Sequence, residues 1–135
     1  MPSGQQAARS GARILIVEDE FLIALHIQEV MEGLGFVVVG PVARLEEALE
    51  VVAGGGGIDG AVLDVNLSGT YVFPLAERLA VLGIPFILTT GYEAFTVPEE
   101  LRAHPRLQKP VRETELIRLV QQTFGGDRRA AASAG

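Results

Sequence analysis

Five short apolar runs, each followed by a change of hydrophobic period or by a proline-bounded break, narrow the folds open to this 135-residue chain. Arg13 to Val17 (R-I-L-I-V) is a continuous β-branched run, the pattern of a strand covered on both faces. It stops at Glu18-Asp19-Glu20. From Phe21 to Leu34 the apolar residues Ile23, Ile27, Val30 and Leu34 recur at helical spacing, with Gly33 and Gly35 as stops. Phe36 to Val39 predicts a second strand closed by Gly40-Pro41, and Leu45, Ala48, Leu49 and Val52 predict a second amphipathic helix. The glycines Gly54 to Gly57 lack the Lys-Ser or Lys-Thr of a phosphate-binding loop and lead into a third strand, Gly60 to Leu63. A helix from about Tyr71 to Leu82 follows, with Val72, Leu75, Ala76 and Leu79 inward and Pro74 accommodated in its first turn. Pro85 to Thr89 and Arg106 to Gln108 are the fourth and fifth strands. Between them Pro98 and Pro105 leave room for one short helix, Glu99 to Ala103, in a stretch expected to be partly mobile. Leu116, Ile117, Val120 and Phe124 mark a last helix, ended by Gly125-Gly126. This alternation implies a (βα)5 domain of the α/β class, one parallel sheet with helices on both faces.

The length suits one domain, expected over 13–124 between flexible tails at 1–12 and 125–135. No cysteine is present, which excludes a disulfide framework, a thiolate zinc site and a cysteine nucleophile. The net charge of −6 argues against nucleic acid or an anionic membrane surface as partner. Charge or glycine breaks every apolar run well short of the ~20 residues of a membrane span, and Met1 to Ala12 has no apolar core for a secretory signal. A cytoplasmic, soluble chain is expected.

Four of the five predicted strands end in polar residues of one chemical kind: Glu18 and Asp19, Asp64, Thr90, and Lys109. In a parallel α/β sheet the carboxyl ends of the strands share one edge, so these residues meet in a crevice there. Glu18, Asp19 and Asp64 offer oxygen ligands for Mg²⁺, which binds through one or two carboxylates and keeps several waters. Asp64 can then attack phosphorus as a nucleophile, while Thr90 and Lys109 supply a hydroxyl and an ammonium to the phosphoryl oxygens. Asn66 can add a backbone carbonyl to the metal and place its side chain nearby. Each residue alone is ordinary: acids before a helix favour its N-terminus, and Thr-Gly is a common turn. Their joint occurrence in order supports a site. His26 and His104 have no partner at ligand spacing and read as structural or surface residues.

I-L-I-V-E-D-E (Ile14 to Glu20), A-V-L-D-V-N-L (Ala61 to Leu67), P-F-I-L-T-T-G-Y (Pro85 to Tyr92) and L-Q-K-P (Leu107 to Pro110) resemble, in order, the motifs of a response-regulator receiver domain. The resemblance covers Arg13 to Phe124. It implies a flavodoxin-like, doubly wound sheet of strand order 2-1-3-4-5. It also implies Asp64 as phosphoacceptor, Asp19 as direct Mg²⁺ ligand, Glu18 acting through water, Thr90 as switch hydroxyl, and Lys109 before a cis-proline bond. The positions that tune dephosphorylation fall on Asn66 and Tyr92. Such a protein is not an enzyme in the turnover sense; it catalyses its own phosphorylation and dephosphorylation.

The match has departures. Arg106 stands where the best-known receivers carry the switch aromatic. P-F-I-L-T-T-G-Y, with V-F-P-L-A (Val72 to Ala76), is similar to a receiver subfamily with a Phe-Ala-Thr-Gly-Tyr-like motif, in which Thr89 takes the alanine position. That subfamily implies an unconventional fourth helix, stand-alone receivers, and a sensor histidine kinase of the HWE/HisKA_2 type as partner; a phosphotransfer protein is the other expected donor. No recognisable effector domain follows Phe124, so output is expected through contacts with a downstream protein or as a phosphate sink, from a monomer or weak dimer. Two other readings stand beside this one. A haloacid-dehalogenase-like phosphatase shares the chemistry but carries its nucleophile on the first strand with a second Asp two residues later, where this chain has Asn66 after its third strand. A pseudo-receiver keeps the fold as a binding module without phosphorylation.

Overall fold

The computed structural model describes residues 11–91 and 96–125; Tyr92 and most of the two expected tails lie outside them. The strands are β1 (Arg13–Val17), β2 (Val37–Val42), β3 (Gly60–Asp64), β6 (Phe86–Thr90) and β7 (Arg106–Gln108) in one sheet, with β4 (Asn66–Leu67) and β5 (Thr70–Tyr71) as a separate antiparallel pair. The helices are α1 (Phe21–Gly33), α2 (Leu45–Ala53), α3 (Phe73–Leu82) and α4 (Glu113–Thr123). Sheet order is β2-β1-β3-β6-β7 with every neighbouring pair parallel, which is the expected 2-1-3-4-5 order when only the five sheet strands are counted.

The uninterrupted apolar runs have their reason in two separate cores. Leu15, Val17, Ala61, Leu63, Phe86 and Leu88 point to one side of the sheet, where Ala48 of α2 and Leu75, Ala76 and Leu79 of α3 cover them. Ile14, Ile16, Val62, Ile87 and Leu107 point to the other, beneath Ile27 and Met31 of α1 and Leu116 and Val120 of α4. Alternate residues of each central strand therefore serve opposite cores, which makes these strands apolar along most of their length, with Thr89 of β6 a buried polar exception.

Three details differ from the sequence expectations. On α1 the buried stripe is Ala24, Ile27 and Met31, while Ile23, Val30 and Leu34 flank it, half-buried. β2 does not stop at Gly40 but continues to Val42, and its register against β1 shifts between Leu15 and Val17. Gly40 permits this at φ 94°, where a Cβ would lie 2.8 Å from Val42 N and 3.1 Å from Ile16 O; Pro41 is tolerated because β2 is an edge strand. The Gly40–Pro41 and Lys109–Pro110 peptides are both cis. Finally, α3 starts at Phe73 rather than Tyr71, because Thr70–Tyr71 pairs with Asn66–Leu67 as a hairpin. Between β6 and β7 the described residues hold a 3-10 turn, Glu99–Leu101, and no α-helix.

Candidate functional site

β1 and β3 are the paired strands at the middle of the sheet, and both run out at its carboxyl edge into acids. Glu18 leaves β1 with its N–H donated to Val42 O (3.0 Å), and its Oε2 accepts the Glu20 N–H (3.1 Å). Asp64 closes β3, its Oδ1 accepting the Asn66 N–H (3.2 Å). Both side chains are buried, at 3% exposure each. Lys109 follows β7, where its N–H donates to Thr90 O (2.7 Å) and turns its side chain toward the acids. Its Nζ lies 3.1 Å from Asp64 Oδ2, 3.4 Å from Glu18 Oε1 and 3.6 Å from Glu20 Oε1.

Two carboxylates inside the protein and one lysine do not balance. Burial pushes Glu18 up to about 8, with the Asp64 charge adding to the rise. Burial also raises Asp64, against the pull of Lys109 and of hydrogen bonds to its charged form. Lys109 loses solvation as well, yet Asp64 and then Glu18 outweigh that loss and lift it above its ordinary value. The crevice holds more negative charge than it can neutralise, which is the electrostatic condition of a cation site.

The donor atoms fit such an ion. One oxygen each from Glu18, Asp19 and Asp64 lie within 4.8 Å of one another, and Glu18 Oε1 is buried with no hydrogen-bond partner. An all-oxygen set of this kind suits a hard cation such as Mg²⁺.

Of the residues singled out in the sequence, Asp19, Asp64, Asn66 and Lys109 line one crevice, joined by Glu20, Ser68, Gly69 and Gly91, with Glu18 held against Lys109 beside it. Asn66 gives its side-chain oxygen to the Gly69 N–H (2.6 Å), a turn contact that the sequence reading did not foresee. Thr90 is buried at the end of β6 and meets the site through its carbonyl. Arg106 is exposed on β7, paired with Leu88, two register positions short of the edge. Tyr92 lies outside the described residues. Sequence reasoning missed Glu20 and Ser68. Glu20 sits at the N-cap of α1, where an acid is expected to cap the helix, but makes no such bond and faces Lys109 instead. Ser68 donates its hydroxyl to Asp19 Oδ2. The run N-L-S-G signals a turn, but nothing in it tells which residue its tip will touch.

No family model matches the chain. The Phyllosphere-induced regulator PhyR of Methylorubrum extorquens is 27% identical over 121 residues, covering 87% of this chain and 45% of that protein, so the chain spans about half the length of this curated relative. The solution structure of SdrG from Sphingomonas melonis Fr1 is 41% identical, with a TM-score of 0.73 over 82% of this chain and 94% of that one. A second SdrG structure, the BeF3-activated conformation from Pseudomonas melonis Fr1, is 42% identical, with a TM-score of 0.67 over 80% and 92%. The signal receiver domain of a modulated diguanylate cyclase from Desulfovibrio desulfuricans G20 is 30% identical, with a TM-score of 0.70 over 84% and 94%.

Proposed function

The chain belongs to the response-regulator receiver domains, and we propose that it accepts a phosphoryl group on Asp64 in a Mg²⁺-dependent reaction. The donor is a phosphohistidine on a sensor histidine kinase, of the HWE/HisKA_2 type, or on a phosphotransfer protein. The observation that carries this reading is the convergence of Glu18, Asp19 and Asp64 with Lys109 at 3.1 Å from Asp64.

The geometry divides the labour. Asp64 is held by two contacts, Asn66 N–H on Oδ1 and Lys109 on Oδ2, so its carboxylate enters the reaction already oriented. It attacks phosphorus through one oxygen; the P–O bond forms as the P–N bond to the donor imidazole breaks, and the imidazole leaves with the electron pair. Lys109 then faces the phosphoryl oxygens instead of a bare carboxylate, and keeps a positive charge where negative charge accumulates. Glu18, Asp19, Asp64 and the Asn66 carbonyl are the groups that would hold Mg²⁺, which supplies charge neutralisation to the carboxylates and phosphoryl oxygens when bound. Thr90 serves as the switch hydroxyl, Asn66 and Tyr92 tune hydrolysis, and Arg106 stands in the place of the aromatic that usually follows the switch. Output runs through altered contacts with a downstream protein or through consumption of phosphoryl groups.

SdrG, 42% identical, is known in a BeF3-activated conformation, which supports a phosphoryl-type occupant in this crevice too. Acetyl phosphate with Mg²⁺, followed by intact-mass measurement, is expected to add one phosphoryl group to this chain and none to Asp64→Asn. Beryllofluoride with Mg²⁺ is expected to shift the amide resonances around Asp64. No adduct and no shift would overturn the reading and leave an unphosphorylated binding module.

A further inference from the structure

The hairpin after the acceptor connects β3 to α3, but its tip also reaches across the crevice. Ser68 donates its hydroxyl to Asp19 Oδ2, a contact between residues 49 positions apart. Ser68 does so from φ 54°, and among the described residues it is the one non-glycine with positive φ. A side chain in that region strains the backbone, a strain that glycine or asparagine largely avoids.

The tip is not a loose loop that happens to pass Asp19. Val65 N–H donates to Thr89 O (3.0 Å), which ties the start of the hairpin to β6, and Val72 N–H donates to Val65 O (2.9 Å), which closes its two ends on each other. Asn66 N–H on Asp64 Oδ1 (3.2 Å) and Gly69 N–H on Asn66 Oδ1 (2.6 Å) fix the turn itself. The serine hydroxyl is thereby delivered to one place, from a framework that starts at Asp64.

A donor that engages one carboxylate oxygen fixes the plane of the group and leaves the second oxygen for a cation, the arrangement by which outer partners orient metal ligands. We propose that Ser68 is a positioning residue for the cation: it holds Asp19 in the orientation that lets Glu18, Asp19 and Asp64 share one ion. The role rests on the Mg²⁺-dependent reading above and deepens it. The strained backbone is retained because a serine at that position reaches Asp19 and a glycine does not.

The test is Mg²⁺ binding by isothermal titration calorimetry on the full chain and on Ser68→Gly, Ser68→Asn and Asp19→Asn, with urea midpoints taken without Mg²⁺. Ser68→Gly removes the hydroxyl and relieves the backbone, so Mg²⁺ affinity is expected to fall about 10-fold while the urea midpoint holds or rises. Ser68→Asn tolerates the same φ and brings an amide donor, so it is expected to recover most of the affinity. Unchanged Mg²⁺ affinity in Ser68→Gly, alongside a loss in Asp19→Asn, overturns the role of Ser68 and leaves the cation site standing. No Mg²⁺ binding to the unaltered chain overturns both.

Discussion

Replacing Thr89 by Val is expected to stabilise the fold, against the usual direction for a core substitution. Thr89 is fully buried at 0% exposure on β6, directly opposite Asp64 on β3, and its hydroxyl has no hydrogen-bond partner. A buried hydroxyl without a partner has lost its water and gained nothing, at a cost of about 1–3 kcal/mol in proteins. Valine keeps the branched shape and fills the same volume with a methyl group. The net gain expected is about 1–2 kcal/mol, which for a domain of this size is a rise of about 3–10 °C in Tm. Thr89→Ser provides the opposite arm: it keeps the hydroxyl, deletes a methyl, and is expected to lose about 1 kcal/mol. Urea unfolding followed by far-UV circular dichroism, without Mg²⁺, measures both, and an unchanged m-value assigns the difference to stability. A lower midpoint for Thr89→Val than for the unaltered chain would refute the reasoning, because it would mean that the hydroxyl finds a partner in solution.

Two further outcomes follow from the site. Glu18 binds its proton more tightly in the folded chain, at about 8 against an ordinary 4.5, so its stabilising contribution is complete below the lower value and lost as pH rises through the upper one. Asp64 is shifted in the same direction. The Mg²⁺-free protein is therefore expected to lose stability across that window, and the Tm increment given by Mg²⁺ to grow with pH; an increment that shrinks with rising pH contradicts the assignment. Gly40→Ala places a Cβ 2.8 Å from Val42 N at φ 94° and is expected to cost more than about 2 kcal/mol in urea unfolding. Because Glu18 N–H is bonded to Val42 O, that variant is also expected to slow labelling by acetyl phosphate, and equal labelling rates would separate the register shift in β2 from the site.

The sheet was legible because its strands are short, buried on both sides and closed by charged residues, so the apolar runs break within a residue of the observed ends of β1, β3 and β7. Helices were legible in existence, less so in orientation. On α1 the apolar residues occupy more than one face, with Phe21 and Leu22 about three-quarters exposed, and hydrophobicity alone does not say that Ala24 and Met31 lie deepest. The hairpin at Asn66–Leu67 and Thr70–Tyr71 was invisible for a different reason: two-residue strands have no period, and Tyr71-Val72 reads equally well as the start of a helix. The convergence of Asp64 and Lys109 could be inferred from order along the chain, since topology brings strand ends together. The contact of Ser68 with Asp19 could not, because it depends on one backbone angle at the tip of that hairpin.

β7 has three residues and pairs with β6 alone, at the outer edge of the sheet. The acids of the crevice stand on the innermost strands and its lysine on the outermost, so the two signs of charge rest on scaffolds of unequal firmness. An edge of that length opens by itself at a fraction of the energy needed to unfold the domain. Each such opening withdraws the ammonium while β1 and β3 keep the acids in place. An occupant that binds Lys109 acts as a clasp on this edge, and the protection of the Leu107 and Lys109 amides against hydrogen exchange becomes a gauge of how full the crevice is.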